Sequence, residues 1–196
     1  METNAIHGLV LAGGRSRRMG RDKASLPMNG KDLLTHVLER TKQVCSPVFI
    51  SLRPGQEVPP KTALHGATAI HDQYGEIGPL GGILSALNAY PDPPPWLVLA
   101  VDLPRLDRHT LEYLIKHRDP GKPFTAYRGR DDLPEPLCAI YEPQSRAILM
   151  DYFSSARSLS PRKIFIEEKA HLLSPPNPEA LDNVNTPEEF EKALNK

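Results

Sequence analysis

Short apolar runs recur along this chain, each ending in a turn and followed by a segment of helical spacing. That alternation constrains the fold more than any other feature. IHGLVLA (Ile6–Ala12) runs into two glycines and reads as a buried strand, and WLVLAV (Trp96–Val101) is the strongest run of this kind. Further strands are expected at Ser46–Leu52, Ala67–His71, Pro123–Tyr127, Leu137–Tyr141 and Lys163–Glu167. KDLLTHVLERTKQVC spaces Leu34, Val37, Leu38, Thr41, Val44 and Cys45 for one face of a helix, which predicts a helix over Lys31–Cys45. Helices are also expected at Gly81–Tyr90, at Asp107–His117 with Asp107 as N-cap, and around Gln144–Phe153. At the C-terminal end Thr186 is a cap, Pro187 takes the first helical position and Glu189 completes a capping box. Strand alternating with helix implies a mostly parallel sheet with crossover helices on both faces, a doubly wound α/β/α sandwich.

The length of 196 residues suits one domain spanning 1–196. Lys plus Arg and Asp plus Glu both number 24, so no global field draws the chain to nucleic acid or to a membrane surface. Cys45 and Cys138 stand in apolar surroundings without C-x-x-C spacing and read as buried thiols, which fits a reducing cytoplasm. No apolar run reaches bilayer length, and the seven histidines show no metal-ligand spacing. Proline-rich stretches at Pro59–Pro60, Pro91–Pro95 and Ser174–Pro178 read as stiff connections.

Open α/β sheets bind ligands beyond the carboxyl ends of their strands. After the first strand comes LAGGRSRRMGRDKASLP, with Gly13 and Gly14 at its start and Arg15, Arg17, Arg18, Arg21 and Lys23 close behind. Glycines permit a sharp turn and close backbone approach, turn amides face phosphate oxygens, and cations add charge-assisted bonds. A phosphorylated ligand accounts for so local a charge better than nucleic acid does. The loop is neither a G-x-G-x-x-G fingerprint nor a P-loop. Asp72 follows the third strand and Asp102 the fourth, in LAVDLPRL. A carboxylate in that position either caps a helix or holds a cation. Asp107 is the better cap, so Asp102 is read as a ligand for Mg²⁺ shared with substrate phosphates; Asp72 stays open between the two roles. Glu135, Glu142, Ser85 and Ser154 show no partner at telling spacing and are read as ordinary surface or helix residues.

LAGGRSRRMGRDKA resembles the L-A-G-G-x-S-x-R-M-G-x-D-K loop of a family of nucleotidyltransferases. With GPLGGI, VDLP, EPLCAIY and NVNTPEEF in order after it, the chain resembles the molybdenum cofactor guanylyltransferases from Leu11 to Phe190. The resemblance implies a Rossmann-like nucleotide-diphospho-sugar transferase fold and transfer of GMP from Mg·GTP to the phosphate of molybdopterin, with pyrophosphate released. It carries nucleotide contacts to Leu11, Ala12, Gly13, Lys23, Asp72 and Asp102, and the magnesium ligand to Asp102. A further nucleotide contact, commonly asparagine in the family, falls on Ser51. Asn183 and Asn185 match positions on the pterin side. The implied partners are GTP, molybdopterin, and proteins that deliver the pterin or mature molybdoenzymes.

The acceptor phosphate is already a nucleophile, so positioning and electrostatics supply the catalysis and no Ser–His or Cys–His constellation is needed. Lys23 and the loop amides hold the triphosphate in this reading, and Arg17 or Arg18 neutralises the departing pyrophosphate. Three alternatives stay open: a cytidylyltransferase of the same cofactor pathway, a sugar-phosphate nucleotidyltransferase, and a nucleotide-binding domain without catalysis. The serine-rich Ser154–Pro161 segment reads as a loop in preference to a lid.

Overall fold

The run at Ile6–Ala12 forms strand β1 (His7–Leu11), whose successive side chains enter two different cores. The computed structural model of the chain describes residues 6–13, 26–28, 30–57, 66–75, 77–184, 186 and 189–191. Among them β2 (Pro27–Met28) and β3 (Lys31–Asp32) form a small antiparallel pair, followed by helix α1 (Leu33–Lys42) and β4 (Val48–Leu52). Then come β5 (Thr68–His71), α2 (Pro79–Asn88), β6 (Trp96–Ala100) and α3 (Arg108–Lys116). The chain continues through β7 (Phe124–Arg128), β8 (Pro134–Tyr141), α4 (Ser145–Ser154), α5 (Pro161–Glu167) and β9 (His171–Leu173), and makes a 3₁₀ turn at Pro178–Leu181.

The main sheet has the order β5-β4-β1-β6-β8-β7-β9. Strands β5, β4, β1 and β6 run parallel, as do β7 and β9, and β8 lies antiparallel between β6 and β7. The expected mostly parallel, doubly wound sheet is therefore present. Alternation along the central strands divides the apolar residues. Val10, Ile50, Leu97, Leu99, Cys138 and Ile140 face α1 and α3, against Leu34, Leu38, Leu111 and Leu114. Leu9, Phe49, Val98, Ala139 and Tyr141 face α2, α4 and α5, against Ile83, Leu84, Leu149 and Phe165. Each fully buried leucine of this kind is worth about 1.5–3 kcal/mol relative to exposure.

Local chemistry sets the helix ends. α1 starts two residues later than expected because Asp32 is its N-cap, accepting from the Thr35 amide at 2.7 Å. α2 starts two residues earlier, at Pro79, after Gly78 with φ 72°. Asp107 caps α3 as expected, accepting from the Thr110 amide at 2.7 Å. The capping box is also present: Glu189 N–H donates to Thr186 Oγ1 at 3.2 Å and Thr186 N–H to Glu189 at 3.3 Å. Pro187 lies outside the described residues.

One expected strand is a helix. Lys163–Glu167 belongs to α5, with Ser160 as N-cap and Pro161 at the first helical position. The apolar run Ile164, Phe165, Ile166 suggested a strand, but only the first two are buried and Ile166 points outward. The strand comes later, as β9, and pairs with β7 through Thr125–His171 to Tyr127–Leu173. Ser155–Ser160 is the connection between α4 and α5. Both cysteines are free and buried, as the sequence suggested.

At the amino end of β1 and β6, His7 packs in an aromatic cluster with Phe49, Tyr90 and Trp96, at ring separations of 5.0–5.5 Å. Its Nδ1 is buried and finds no hydrogen-bond partner among the described residues. Desolvation lowers its pKa. The folded state thus binds this proton less readily than the unfolded state does. His7 costs nothing well above the unfolded pKa of about 6.5, and it costs stability as pH falls through that value. The drop in Tm between about pH 7.5 and about pH 5.5 should be smaller in His7→Phe than in the wild type. Equal drops in parallel melts would remove His7 from the acid response.

Candidate active site

The chain reverses direction across the sheet between β1 and β6. From β1 it moves outward through β4 to β5, then crosses back to β6 on the other side of β1. Ala12 and Gly13 leave β1 on one side of this switch point and Asp102 leaves β6 on the other. Such a crevice is where open α/β sheets hold ligands.

Ala12 is buried, and its N–H donates to Ser51 O at 3.0 Å, extending the β1–β4 ladder by one bond. A Cβ on Gly13 would come within 3.1 Å of Arg53 N and 3.2 Å of Arg53 Cγ. The first glycine of the pair therefore fits closely against Arg53, just past β4, quite apart from any ligand. Leu11 closes β1 half-buried. Gly14, Arg17, Arg18 and Lys23 lie outside the described residues.

Asp72 follows β5, with its N–H donating to Leu52 O at 2.8 Å. Its Oδ1 accepts from the Tyr74 amide at 2.7 Å, and its carboxylate lies over the first turn of α2, where a Cβ on Gly81 would collide with it. The positive end of the helix favours a carboxylate there. The adjacent glycine has a different neighbour: a Cβ on Gly82 would strike the Ser51 hydroxyl and come within 3.3 Å of Leu11 Cδ2. Ser51 is 4% exposed, inside β4. The Gly-Gly pair therefore lets α2 settle on the ends of β4 and β5. Ser85 completes the joint, accepting from the Gln73 amide at 2.9 Å and donating to Gly81 O at 2.8 Å.

Asp102 sits half-buried just beyond β6. Its carbonyl accepts from Val184 N–H at 3.1 Å, which brings Asn183, exposed, to the same end of the sheet. Asn185 lies outside the described residues. The β6–β8 pairing runs as far as Leu99–Cys138, and Glu135, three residues before Cys138 on β8, is close enough to feel the charge of Asp102. Glu135 had been read as an ordinary surface residue. It is instead a mostly buried strand residue, with Arg162 Nη2 at 3.1 Å. Burial raises its pKa, Arg162 and the Leu137 amide oppose that, and the charges of Asp102 and Asp131 add to the rise. Glu142 also departs from the expectation. It is 2% exposed, and Arg118 Nη1 donates to both its oxygens at 3.0 Å. It lies at the amino end of the β6 pairing, next to Tyr141, away from Asp102.

The donor chemistry at Asp102 fits a hard divalent ion. One half-buried carboxylate suits Mg²⁺ that would complete its shell with water and phosphate oxygens. Among the described residues no three acid, histidine or cysteine side chains converge as a metal cage. Among them, too, no helix is long and apolar enough to cross a membrane.

A doubly wound sheet with Gly13 after β1 and an acid after β6, at the switch point, is the architecture of a nucleotide-binding α/β domain. Residues 8–170 match the MobA-like NTP transferase domain, and the chain belongs to that family. A molybdenum cofactor biosynthesis bifunctional protein of Synechocystis is 33% identical over 189 residues, covering 94% of this chain and 52% of that protein. The chain thus spans about half the length of that relative. A probable molybdenum cofactor guanylyltransferase of Natronomonas pharaonis is 31% identical over 196 residues, covering 95% of each. The fold is shared with the crystal structure of molybdopterin-guanine dinucleotide biosynthesis protein A from Archaeoglobus fulgidus, at a TM-score of 0.76, 24% identity and 97% coverage of each chain. It is also shared with Rv0371c of Mycobacterium tuberculosis, whose crystal structure is a complex with manganese (TM-score 0.66, 17% identity, 98% and 99% coverage).

The joint between α2 and β4 supplies a test. Gly82→Ala should destabilise the fold by about 1–3 kcal/mol, the usual penalty for overpacking. Adding Ser51→Ala, which removes the clashing hydroxyl, should recover part of the loss in denaturant melts. A Gly82→Ala protein as stable as wild type would show that α2 can stand off from β4.

Proposed function

We propose that the chain transfers GMP from GTP to the terminal phosphate of molybdopterin. An acceptor phosphate oxygen bonds to the α-phosphorus of GTP, the α–β bridging P–O bond breaks, and pyrophosphate leaves with the bridging electron pair. The observation that carries the reading is the meeting at one sheet end of three family landmarks: Ala12–Gly13 at the end of β1, Asp102, and the Asn183 segment bonded to Asp102 through Val184. The names of the Synechocystis and Natronomonas relatives support molybdenum cofactor biosynthesis as the setting, and the Natronomonas name supports guanylyl transfer.

The acceptor is an anion and so is the triphosphate, so the barrier is mostly charge repulsion and alignment. In this reading the residues after β1 (Leu11, Ala12, Gly13 and Gly14) and Lys23 receive the nucleotide, and Arg17 or Arg18 faces the pyrophosphate. Asp72, fixed over α2, and Ser51, beneath Gly82, shape the nucleotide side. Asp102 holds Mg²⁺, and a magnesium ion supplies charge neutralisation on phosphate oxygens. Asn183 and Asn185 face the pterin. The rigid α2 joint keeps Asp72 from collapsing into the crevice before nucleotide arrives, which is preorganisation by packing.

The reading is tested by measuring pyrophosphate release from each of the four NTPs, with and without molybdopterin. Release from GTP alone, and only with the pterin, is the expected result. Release from CTP makes the chain a cytidylyltransferase, and release with a sugar phosphate makes it a sugar-phosphate enzyme. Lys23→Ala should lower turnover on the order of 10²–10³-fold, the scale for one transition-state donor. Asp102→Asn should shift the magnesium titration of GTP binding to higher concentration. A near-normal rate in the first, or an unmoved titration in the second, removes that residue from the proposed role.

A further inference from the structure

The 3₁₀ turn at Pro178–Leu181 and the residues after it form a strap across the carboxyl end of the sheet. Asn177 Nδ2 donates to Asp107 Oδ2 at 2.8 Å, so the strap begins on the residue that caps α3. Burial works against the Asp107 charge, but the bonds from Thr110 and Asn177 outweigh it and hold that carboxyl below its ordinary pKa. Arg105 Nη1, from the loop that carries Asp102, lies 3.0 Å from Glu179 and 3.9 Å from Asp182. From the other side Arg130, in the β7–β8 turn, meets Asp182 with both arms: Nε to Oδ1 at 2.8 Å and Nη2 to Oδ2 at 2.9 Å. Two residues further on, Val184 is buried and its N–H bonds Asp102 O.

Asn183 is therefore the exposed residue between two anchors. Its predecessor is gripped through the side chain and its successor through backbone and burial. Single exposed ion pairs contribute little to stability. A paired guanidinium fork on one carboxylate oxygen pair is different in kind, because it fixes direction as well as distance. Asp182 also joins two separate elements. Arg130 belongs to the hairpin that α5 braces, through Arg162 to Asp131 at 2.8 Å, and Arg105 belongs to the Asp102 loop.

We infer that Asp182, gripped by Arg130 and steadied by Arg105, is a positioning residue that sets Asn183 relative to Asp102 for the acceptor. The inference rests on the guanylyltransferase reading for its consequence in turnover. The clamp itself is readable without any activity. Its direct signature is the Val184 amide, whose exchange with solvent reports how firmly the strap stays on Asp102.

Arg130→Gln and Asp182→Asn should each raise hydrogen exchange at the Val184 amide about tenfold while leaving the β1 and β6 amides and Tm unchanged. In steady-state assays with GTP saturating, both should lower kcat/KM for the pterin about tenfold with nucleotide affinity unchanged. A misplacement of about 1 Å can cost up to about 10²-fold. Arg130→Lys, which keeps the charge and one contact, should recover much of the loss. Wild-type exchange at Val184 in both variants overturns the clamp. So does a uniform rise across the sheet with a lowered Tm, which would make the ion pair a general staple. If the wild type releases no pyrophosphate from any NTP with the pterin present, the guanylyltransferase reading fails instead, and the Val184 exchange still decides the clamp.

Discussion

Everything at the candidate site depends on the parallel ladder between β1 and β6. Five residue pairs, from His7–Trp96 to Leu11–Ala100, put the turn after β1 level with the acid after β6. The ladder is held from both sides: Val10 and Leu99 pack toward α1 and α3, and Leu9 and Val98 pack toward α2. A slip of one residue would reverse the faces of the strand that moves, sending Leu9 and Val10, or Val98 and Leu99, to the wrong layers. Burial therefore sets the distance between Gly13 and Asp102 more firmly than any polar contact at the site does. The crevice is defined by the core beneath it.

The two ends of that crevice are built by different means. Beside β4 and β5, α2 is brought onto the strands by missing side chains: Gly81 leaves room for Asp72 and Gly82 for Ser51. Contacts of that kind bring short polar side chains directly against the helix backbone. Beyond β6 the elements are joined by long charged side chains, Arg105, Arg130 and Arg162, each on a carboxylate. Such joints hold direction but tolerate small shifts.

Much of this was legible in the sequence because it rests on local rules. The buried runs at β1 and β6 are continuous, Asp107 and Thr186 cap where capping chemistry demands, and Asp102 ends its strand as expected. The misses have physical causes. In α5 a three-residue apolar run imitates a strand, and the Ser160–Pro161 start signal carried the better information. Glu135 and Glu142 looked like surface acids because their arginine partners are 27 and 24 residues away in the chain. Pairing over such separations has no periodicity, so only the folded hairpin reveals it. The Gly-Gly pair of α2 was read as part of a helix. What it packs against, a serine in β4 and an aspartate after β5, is a tertiary fact.

The distribution of charge then bears on which groups meet the substrates. A guanidinium already held by a carboxylate presents little net field, and recruiting it to a phosphate means first losing the existing bonds. Arg118 is committed in this way to Glu142, Arg130 to Asp182, and Arg162 to Asp131 and Glu135. In a chain with 24 cations and 24 anions, anion binding must come from cations concentrated locally rather than from a general excess. The stretch Arg15–Lys23 is where the sequence concentrates them, directly after the β1 turn. Under the proposed reaction, the paired arginines are then scaffold and the opening loop carries the charge that the triphosphate requires.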